Sequence, residues 1–234
     1  ERHKAQANLK KGPKKAVPYM TREEFFLFRE KLMGVKHGGI LAILATCQYF
    51  QALRISEAAA LTDTSFKIDW ENPASSRVVI TGAVKWRKDT GVETHVGKFK
   101  NSDFVDGVKE QPLFPEPFGA LQMLNNFREK RGLLFSDNGR LFEFRQIAGA
   151  YNTAFALADL PYRGTHIMRH GGCRDVYNAT GDLAIAQQHL GNASLKSTMV
   201  YAKREAGALT KVAEERWANV IELAANGSKA FAAK

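Results

Sequence analysis

The pattern of hydrophobic and polar positions predicts a mostly helical chain, with strand-like patterning confined to its middle. Thr21 is a good N-cap and has Glu24 at the capping-box position, so a helix is expected to begin after it. That helix is predicted to turn four apolar side chains inward: Phe25, Phe26, Phe28 and Leu32. Residues 38–53 are apolar on nearly every face, which predicts a buried helix running toward Arg54 and a short helix after it.

Strand-like segments are expected in the middle of the chain, at 77–82, at 83–86 and, after a Lys-Asp-Thr-Gly turn signal, at 92–99. Three prolines then mark a loop before a helical stretch around 118–130: Pro112, Pro115 and Pro117. Further helices are expected at 144–157, 166–179, 182–190, 195–201 and about 207–225. These elements predict a mainly α fold with one small antiparallel β-sheet, which is an α+β domain.

The composition is that of an ordinary globular protein, but the charge is strongly positive. The chain has 234 residues, 44% of them hydrophobic and 25% charged, and a formal net charge of +10. Such an excess of positive charge points to a polyanionic partner. About half of it lies in residues 1–15, which hold six Lys or Arg against one Glu. This basic arm is either a flexible tail or a contact for phosphate groups.

Cysteine usage and hydropathy place the protein in the cell interior. Cys47 and Cys173 form no CxxC pair and are too few for a disulfide framework, and Cys47 is expected in the core. Both fit a reducing cytosol. Neither a membrane-spanning run nor a signal peptide is apparent, so a soluble, cytoplasmic protein is expected.

The chemically informative residues are two arginines and a histidine. Arg54 follows a buried apolar helix, where it needs an anion or a salt bridge to Glu57 one turn on. In HIMRH, the i, i+3 spacing places His166 and Arg169 on one helical face, with His170 one position off it. Thr165 is predicted to cap that helix, whose positive end would then face a bound anion. The alternative is a core histidine and a surface arginine, and no ligand spacing indicates a metal.

A tyrosine completes the set. Taken alone, Tyr201 would be a half-buried packing residue, because a phenol is a reluctant nucleophile. Together with Arg54 and Arg169 it gains another meaning, since two guanidiniums can hold both non-bridging oxygens of a phosphodiester. They would stabilise the charge that develops on a pentacoordinate phosphorus under attack by the phenol.

Three blocks follow in order along the chain: LRISEAAAL around Arg54, THIMRHGGCRD around His166 and Arg169, and LGNASLKSTMVYAK around Tyr201. Together they resemble the catalytic domain of the tyrosine recombinase/integrase family, which includes phage integrases and recombinases that resolve chromosome dimers. The resemblance covers about residues 18–205. It implies that Tyr201 is the nucleophile, that the two arginines clamp the phosphate, and that His166 assists by proton transfer or hydrogen bonding.

One position departs from the family's pattern. Asn192 stands nine residues before Tyr201, where the family usually has His and sometimes Trp. An amide donates a hydrogen bond to a phosphate oxygen but takes up no proton, so contact without acid/base help is implied there. His189, three residues earlier, is expected to face elsewhere on its helix and to be structural.

The resemblance also implies a hairpin lysine that protonates the leaving 5′-oxygen. The segment FKNSDFVDGVKEQPLFPE resembles the family's lysine–turn–PL pattern, which favours Lys100. Lys85, Lys88 and Lys98 are the other candidates. Each of the four is alternatively a solvated charge or a phosphate contact.

The implied function is site-specific recombination, as in mobile genetic elements: double-stranded DNA is cleaved and rejoined through a 3′-phosphotyrosyl intermediate at a specific site. No metal, nucleotide or other cofactor is needed, because the phosphotyrosine keeps the energy of the broken bond. Four protomers at the nucleoid, exchanging strands through a Holliday junction, are implied by the same resemblance.

The resemblance divides the chain into three parts. Residues 1–17 are similar to the linker that leads into the family's core-binding domain, and residues 18–205 form the catalytic domain. Residues 206–234 are a C-terminal helix and tail that either dock on a neighbouring protomer or pack on their own domain.

Two other functions remain open. A type IB topoisomerase shares the tyrosine chemistry but relaxes supercoils as a monomer. A non-catalytic DNA-binding protein is favoured only by Asn192.

Overall fold

A computed structural model describes residues 19–87, 91–96, 108–124, 132–137, 139–162 and 164–191. The predictions for the basic arm 1–17, for the helices at 195–201 and 207–225, and for the tail lie outside these residues. Within the described part, no helix has both the length and the apolar character needed to cross a membrane.

Seven α-helices lie in the described part of the chain, and the sequence predicts most of them closely. They are α1 Arg22–Met33, α2 Gly38–Phe50, α3 Ile55–Ala59, α4 Pro115–Gln122, α5 Phe144–Leu157, α6 His166–Thr180 and α7 Leu183–Leu190. Helix α4 begins earlier than predicted, because a proline is well accommodated in the first turn, where its missing N–H has no partner to lose. The predicted stretch 125–130 lies outside the described residues.

Seven short strands form antiparallel pairings, in more than the single sheet that the sequence predicts. They are β1 Phe66–Lys67, β2 Arg77–Ile80, β3 Gly82–Arg87, β4 Gly91–Val96, β5 Lys109–Pro112, β6 Ser136–Asp137 and β7 Arg140–Leu141. One sheet has the order β1-β2-β5, while β3-β4 and β6-β7 are two-stranded. Strand β5 falls where the prolines predicted a loop. Pro112 is tolerated because it ends the strand, opposite Arg77.

The capping box predicted for α1 is present. The Glu24 N–H donates to the Thr21 hydroxyl at 3.2 Å, and the Thr21 N–H donates to the Glu24 carboxylate at 2.8 Å. The inward face predicted for this helix is wrong at one position, because Phe26 is 38% exposed. Successive helical residues are rotated by about 100°, so Phe26 lies at the edge of the stripe that Phe25 and Phe28 form.

Helix α2 is the centre of the core, as its apolar sequence predicts. Its residues from Leu41 to Phe50 are all buried, including Cys47. Helices α1, α5 and α6 pack around it. The ring of Tyr49 stacks on Phe25 with centroids 4.4 Å apart, and Phe28 meets Phe155 at 4.7 Å. Since α6 packs on α2 as well, the core positions both the end of α2, before Arg54, and the start of α6, at His166.

Two adjacent glycines let α6 approach α2 closely. A Cβ at Gly172 would overlap the backbone oxygen of Tyr49, and one at Gly171 would crowd both Met20 and the Tyr49 ring. The obstacle at Gly172 is backbone rather than a flexible side chain, so a larger residue forces the helices apart. The two glycines of the motif HGGCRD are therefore required for close packing of α6 on α2.

We expect Gly172→Ala to lower the free energy of unfolding by about 1–3 kcal/mol, because the added methyl overpacks the α2–α6 contact. The matched control is Gly149→Ala in α5, where a Cβ meets nothing within 4 Å. That change should stabilise the protein by about 0.5–1 kcal/mol through helix propensity. Urea unfolding of both variants checks the pair, and equal stabilities would contradict the close contact.

Candidate functional site

The turn between α2 and α3 presents Arg54 and is anchored to strand β5. The Gln51 amide donates to the Pro112 carbonyl at 2.9 Å, and the Gln111 amide donates to the Gln51 carbonyl at 2.9 Å. Ala52 then takes a left-handed backbone conformation with φ of 45°. Such a conformation is uncommon for a residue with a Cβ, and it turns the chain sharply at the end of α2.

Arg54 pairs with Glu57, as the salt-bridge alternative predicts. Its Nη1 lies 2.6 Å from Glu57 Oε1, and its backbone N–H donates to Glu57 Oε2 at 2.8 Å. The two side chains differ in exposure, at 41% for Arg54 and 5% for Glu57. The carboxylate of this pair is therefore buried, while the guanidinium of Arg54 is partly exposed to solvent.

Arg169 is buried, so the alternative of a surface arginine is wrong. Only 5% of this residue is exposed. Its Nη1 donates to the Ala52 carbonyl at 2.6 Å and lies 3.5 Å from Glu57 Oε2, and its Nη2 donates to the Leu190 carbonyl at 2.9 Å. One guanidinium thus joins the Arg54 turn, helix α3 and the end of α7.

Glu57 is the common partner of both arginines. Burial on its own would raise the pKa of the Glu57 carboxyl, but the charges of Arg169 and Arg54 outweigh it and hold that pKa below its ordinary value. The carboxylate therefore stays ionised throughout the neutral range. Its negative charge offsets part of the repulsion between two guanidiniums that share one small volume.

His166 begins α6 and lies beside this cluster. The residue is exposed, so the alternative of a core histidine is wrong. Partial desolvation of its ring, followed by the charges of Arg169 and Arg54, lowers the pKa of His166. The imidazole is consequently neutral at pH 7, with one nitrogen as donor and the other as acceptor.

One neighbour of His166, Thr165, differs from the prediction. Thr165 is the N-cap residue, but its side chain makes no capping hydrogen bond, and its carbonyl instead accepts from the Gln48 amide at 2.9 Å. Thr165 is buried, and its contact with Gln48 lies in the core. His170 is one position off the face of His166 and Arg169, and its ring lies 6.1 Å from that of His166, because residues four apart are neighbours on a helix.

Sequence reasoning missed Lys109. This residue is 4% exposed on β5, and its ammonium donates to the His189 carbonyl at 2.7 Å. Burial first, and then the nearby Arg169, lowers the pKa of Lys109 to about 7. The segment KEQP has no alternation of apolar and polar residues, so its sequence gives no signal that Lys109 faces inward.

The described residues bring together three of the predicted site residues: Arg54, His166 and Arg169. The other three, Lys100, Asn192 and Tyr201, lie outside the described residues, as do Lys88 and Lys98. Lys85 is exposed on β3. His189 is buried with its ring 5.3 Å from that of Phe114, so it is a packing residue as expected. In the described part of the chain, no three His, Cys, Asp or Glu side chains are grouped so that they could hold a metal ion.

We expect Glu57→Gln to lower the free energy of unfolding at pH 7 by about 3–5 kcal/mol. The change leaves the buried guanidinium of Arg169, and the inward side of Arg54, without their counter-charge. The carboxyl has a lowered pKa when folded, so its contribution is complete above the unfolded pKa of about 4.3 and is lost as the pH falls through the folded value. The difference between wild type and variant should therefore shrink in acid. Chemical unfolding at a series of pH values measures it.

Glu30→Gln is the matched control, because Glu30 is 69% exposed and its ion pair is with the adjacent Lys31 on the surface. It should change the stability by less than about 0.5 kcal/mol. A Glu57→Gln variant as stable as this control would contradict the bridging role.

The fold agrees with that of known DNA recombinases. The chain superposes on the integrase of the Tn1549 transposon in complex with transposon right-end DNA with a TM-score of 0.67 and 20% identity, covering 91% of this chain and 69% of that one. For the XerH site-specific recombinase bound to difH substrate, the TM-score is 0.59 at 20% identity, with 87% and 56% covered.

The catalytic domain of bacteriophage HP1 integrase matches over 85% of this chain and 94% of its own, with a TM-score of 0.54 and 17% identity. This chain therefore spans nearly all of an isolated catalytic domain but only about half of the XerH chain. No protein-family model matches the sequence. A search of curated proteins also finds no match. The architecture built around the Arg54–Glu57–Arg169 cluster is the catalytic-domain fold of tyrosine recombinases and integrases.

Proposed function

We propose that this chain is the catalytic domain of a site-specific DNA recombinase or integrase that cleaves and rejoins DNA strands through a 3′-phosphotyrosyl intermediate. One observation carries the proposal: Glu57 ties Arg54 and Arg169 together beside a neutral, exposed His166. The proposal is supported by the fold, which is shared with an integrase bound to transposon DNA and a recombinase bound to its difH substrate. The net charge of +10 suits such a polyanionic partner.

Tyr201 is the proposed nucleophile. Its phenol oxygen attacks the scissile phosphorus and loses its proton, a new P–O bond forms, and the bond to the 5′-oxygen breaks. The 5′-oxygen takes up a proton and leaves as a free hydroxyl. Rejoining reverses these steps, with a 5′-hydroxyl attacking the phosphotyrosine and the phenol as leaving group. The bond energy is conserved, so no nucleotide or other cofactor is required.

The two arginines have different parts in this scheme. Arg54 is open to solvent and offers its guanidinium to a non-bridging phosphate oxygen. Arg169 donates to the Ala52 and Leu190 carbonyls and so holds the site together, and its buried positive charge completes the proposed clamp on the phosphate. A fixed positive charge in a buried position stabilises charge that develops on phosphorus at no cost in reorganisation.

His166 adds a neutral imidazole at the edge of the cluster. Because its pKa is lowered, it can accept the phenolic proton or donate a hydrogen bond to a phosphate oxygen at neutral pH. Asn192, nine residues before Tyr201, is proposed to donate a hydrogen bond to the same phosphate. Lys100 remains the proposed donor of a proton to the 5′-oxygen.

The proposed partner is double-stranded DNA with a specific recombination site, at the nucleoid, as expected of a mobile genetic element. Four protomers would assemble on two sites and exchange strands through a Holliday junction. Residues 1–17 would contact phosphates as a linker, residues 18–205 would form the catalytic domain, and residues 206–234 would dock on a neighbouring protomer. Affinity that rests on phosphate contacts should fall steeply as salt is raised.

A type IB topoisomerase is the second candidate, because the same arginine–histidine cluster serves any attack of a tyrosine on a phosphodiester. It would relax supercoiled plasmid that lacks a recombination site, whereas a site-specific recombinase would leave such plasmid unchanged. A DNA-binding protein without catalysis would form no covalent adduct on any substrate.

We expect the protein to form a covalent adduct with a nicked suicide substrate that carries its recombination site. Cleavage next to the nick frees a short fragment with a 5′-hydroxyl, and its diffusion away prevents rejoining. The site is first obtained by selection from random DNA. Tyr201→Phe should abolish the adduct and leave DNA affinity unchanged, since only the phenol oxygen is lost. Denaturing electrophoresis detects the adduct, and its absence with intact protein bound to its site would refute the proposed catalysis.

Arg54→Ala should slow adduct formation by about 100-fold, the cost typical of removing one donor that stabilises a transition state. Arg140→Ala is its control, because the Arg140 side chain is 83% exposed and only loosely paired with Glu143. An equal effect of the two changes would indicate general loss of positive charge rather than a phosphate clamp. Single-turnover kinetics at saturating protein separate the rate from the affinity.

A further inference from the structure

The carboxyl end of α7 is held by two cationic side chains. The last four carbonyls of a helix lack partners within the helix and need others. Here the Gly191 N–H serves the Gln187 and Gln188 carbonyls, at 2.9 and 3.0 Å. The His189 carbonyl accepts from Lys109 at 2.7 Å, and the Leu190 carbonyl accepts from Arg169 at 2.9 Å. All four carbonyls are therefore satisfied.

The position of Lys109 is specific and costly. Residues alternate along β5, so that Lys109 and Gln111 are buried while Glu110 and Pro112 are exposed. A lysine turned inward at 4% exposure gives up most of its hydration, and lysines are rarely buried unless paired. Its ammonium is compensated by the carbonyl end of a helix, where the macrodipole favours a positive charge.

We propose that Lys109 is a positioning residue: with Arg169 it clamps the carboxyl end of α7 to the Arg54–Glu57 pair and so fixes where the chain departs toward Asn192 and Tyr201. The geometry supports this because the two clamped carbonyls immediately precede Gly191, after which the segment 192–201 follows in the sequence. The catalytic consequence rests on the proposed function, whereas the clamp itself does not.

The charge of this clamp changes near neutral pH. Burial, aided by Arg169 and Arg54 and opposed by Glu57 and Cys173, lowers the pKa of Lys109 to about 7. The other groups around it do not titrate in that range. Burial lowers the pKa of His189 to about 3 and raises that of Cys173 to about 12, and Glu57 and the arginines stay charged. The clamp therefore weakens as the pH rises through 7, because a neutral amine is a poorer donor.

Loss of the Lys109 proton weakens the clamp but raises the free energy of unfolding of the whole protein. The unfolded lysine keeps its proton up to about pH 10.4, while the folded one loses it near 7, so the unfolded state binds more protons between these values. The burial penalty of the ammonium is thus relieved as the pH rises from 7 to 10.4. Between pH 7 and 10.4 the contribution of Lys109 to the free energy of unfolding therefore rises, while its hydrogen bond to the end of α7 weakens.

Hydrogen exchange of the free protein tests the clamp without any catalysis. In wild type, amides at the end of α7 should lose protection between pH 6 and pH 8.5, after correction for intrinsic exchange. In Lys109→Met, which keeps the volume but removes the donor, protection there should be low at both pH values. Peptides that cover 183–191, analysed by mass spectrometry, report it.

Lys67→Met is the matched control, because Lys67 lies in the same sheet but is exposed and pairs with Glu110 on the opposite face from Lys109. It should exchange like wild type at both pH values. The clamp is overturned if Lys109→Met protects the end of α7 as well as Lys67→Met does at pH 6, where the wild-type ammonium is charged. A loss of protection confined to the end of α7, with α2 protected as in wild type, separates release of the clamp from poor folding of the variant.

Single-turnover cleavage of pre-bound suicide substrate then tests the catalytic consequence. Lys109→Met should form adduct about 10- to 100-fold more slowly at pH 6.5, a range typical of misplaced reacting groups, with unchanged DNA affinity. Its rate should also lack the decline above pH 7 that we expect for the wild type. An adduct formed at the wild-type rate and with the wild-type pH profile would refute the positioning role. If wild type forms no adduct, the proposed function fails, while the exchange experiment still decides on the clamp.

Discussion

A single buried carboxylate organises the candidate site. Glu57 is 4% exposed and accepts from Arg54 on one side while it faces Arg169 on the other. Two guanidiniums so close together would repel each other and lose hydration without a counter-charge between them. Because Arg169 also binds the Ala52 and Leu190 carbonyls, the same carboxylate indirectly fixes the turn after α2, helix α3 and the end of α7.

This arrangement divides the positive charge into an inner and an outer part. Arg169 and Lys109 lie inside and hold backbone carbonyls, whereas Arg54 and His166 lie at the edge, where an anion can reach them. The inner charges make the site rigid, and the outer groups remain available. A phosphodiester that entered here would meet oriented charges in a partly buried setting, where they act more strongly than in water.

The sequence predicts the features whose causes are local. Periodicity and the Thr21 capping box give α1, the continuous apolar run gives α2, and the i, i+3 pair Arg54–Glu57 follows from spacing alone. It does not predict that Arg169 is buried, because the carbonyls it binds are 117 and 21 residues away along the chain. Lys109 was missed for a related reason. Strand β5 is short, polar and ends in proline, and only pairing with β2 reveals its inward face.

The most direct test of the central role of Glu57 is a double-mutant cycle for stability that combines Glu57→Gln with Arg169→Met. The account predicts a coupling energy of about 1–3 kcal/mol at pH 7, because each change removes a buried partner of the other. The same cycle on the exposed pair Arg140 and Glu143 should give a coupling near zero. Additive effects of Glu57→Gln and Arg169→Met would show that the two side chains act independently, and they would contradict the account.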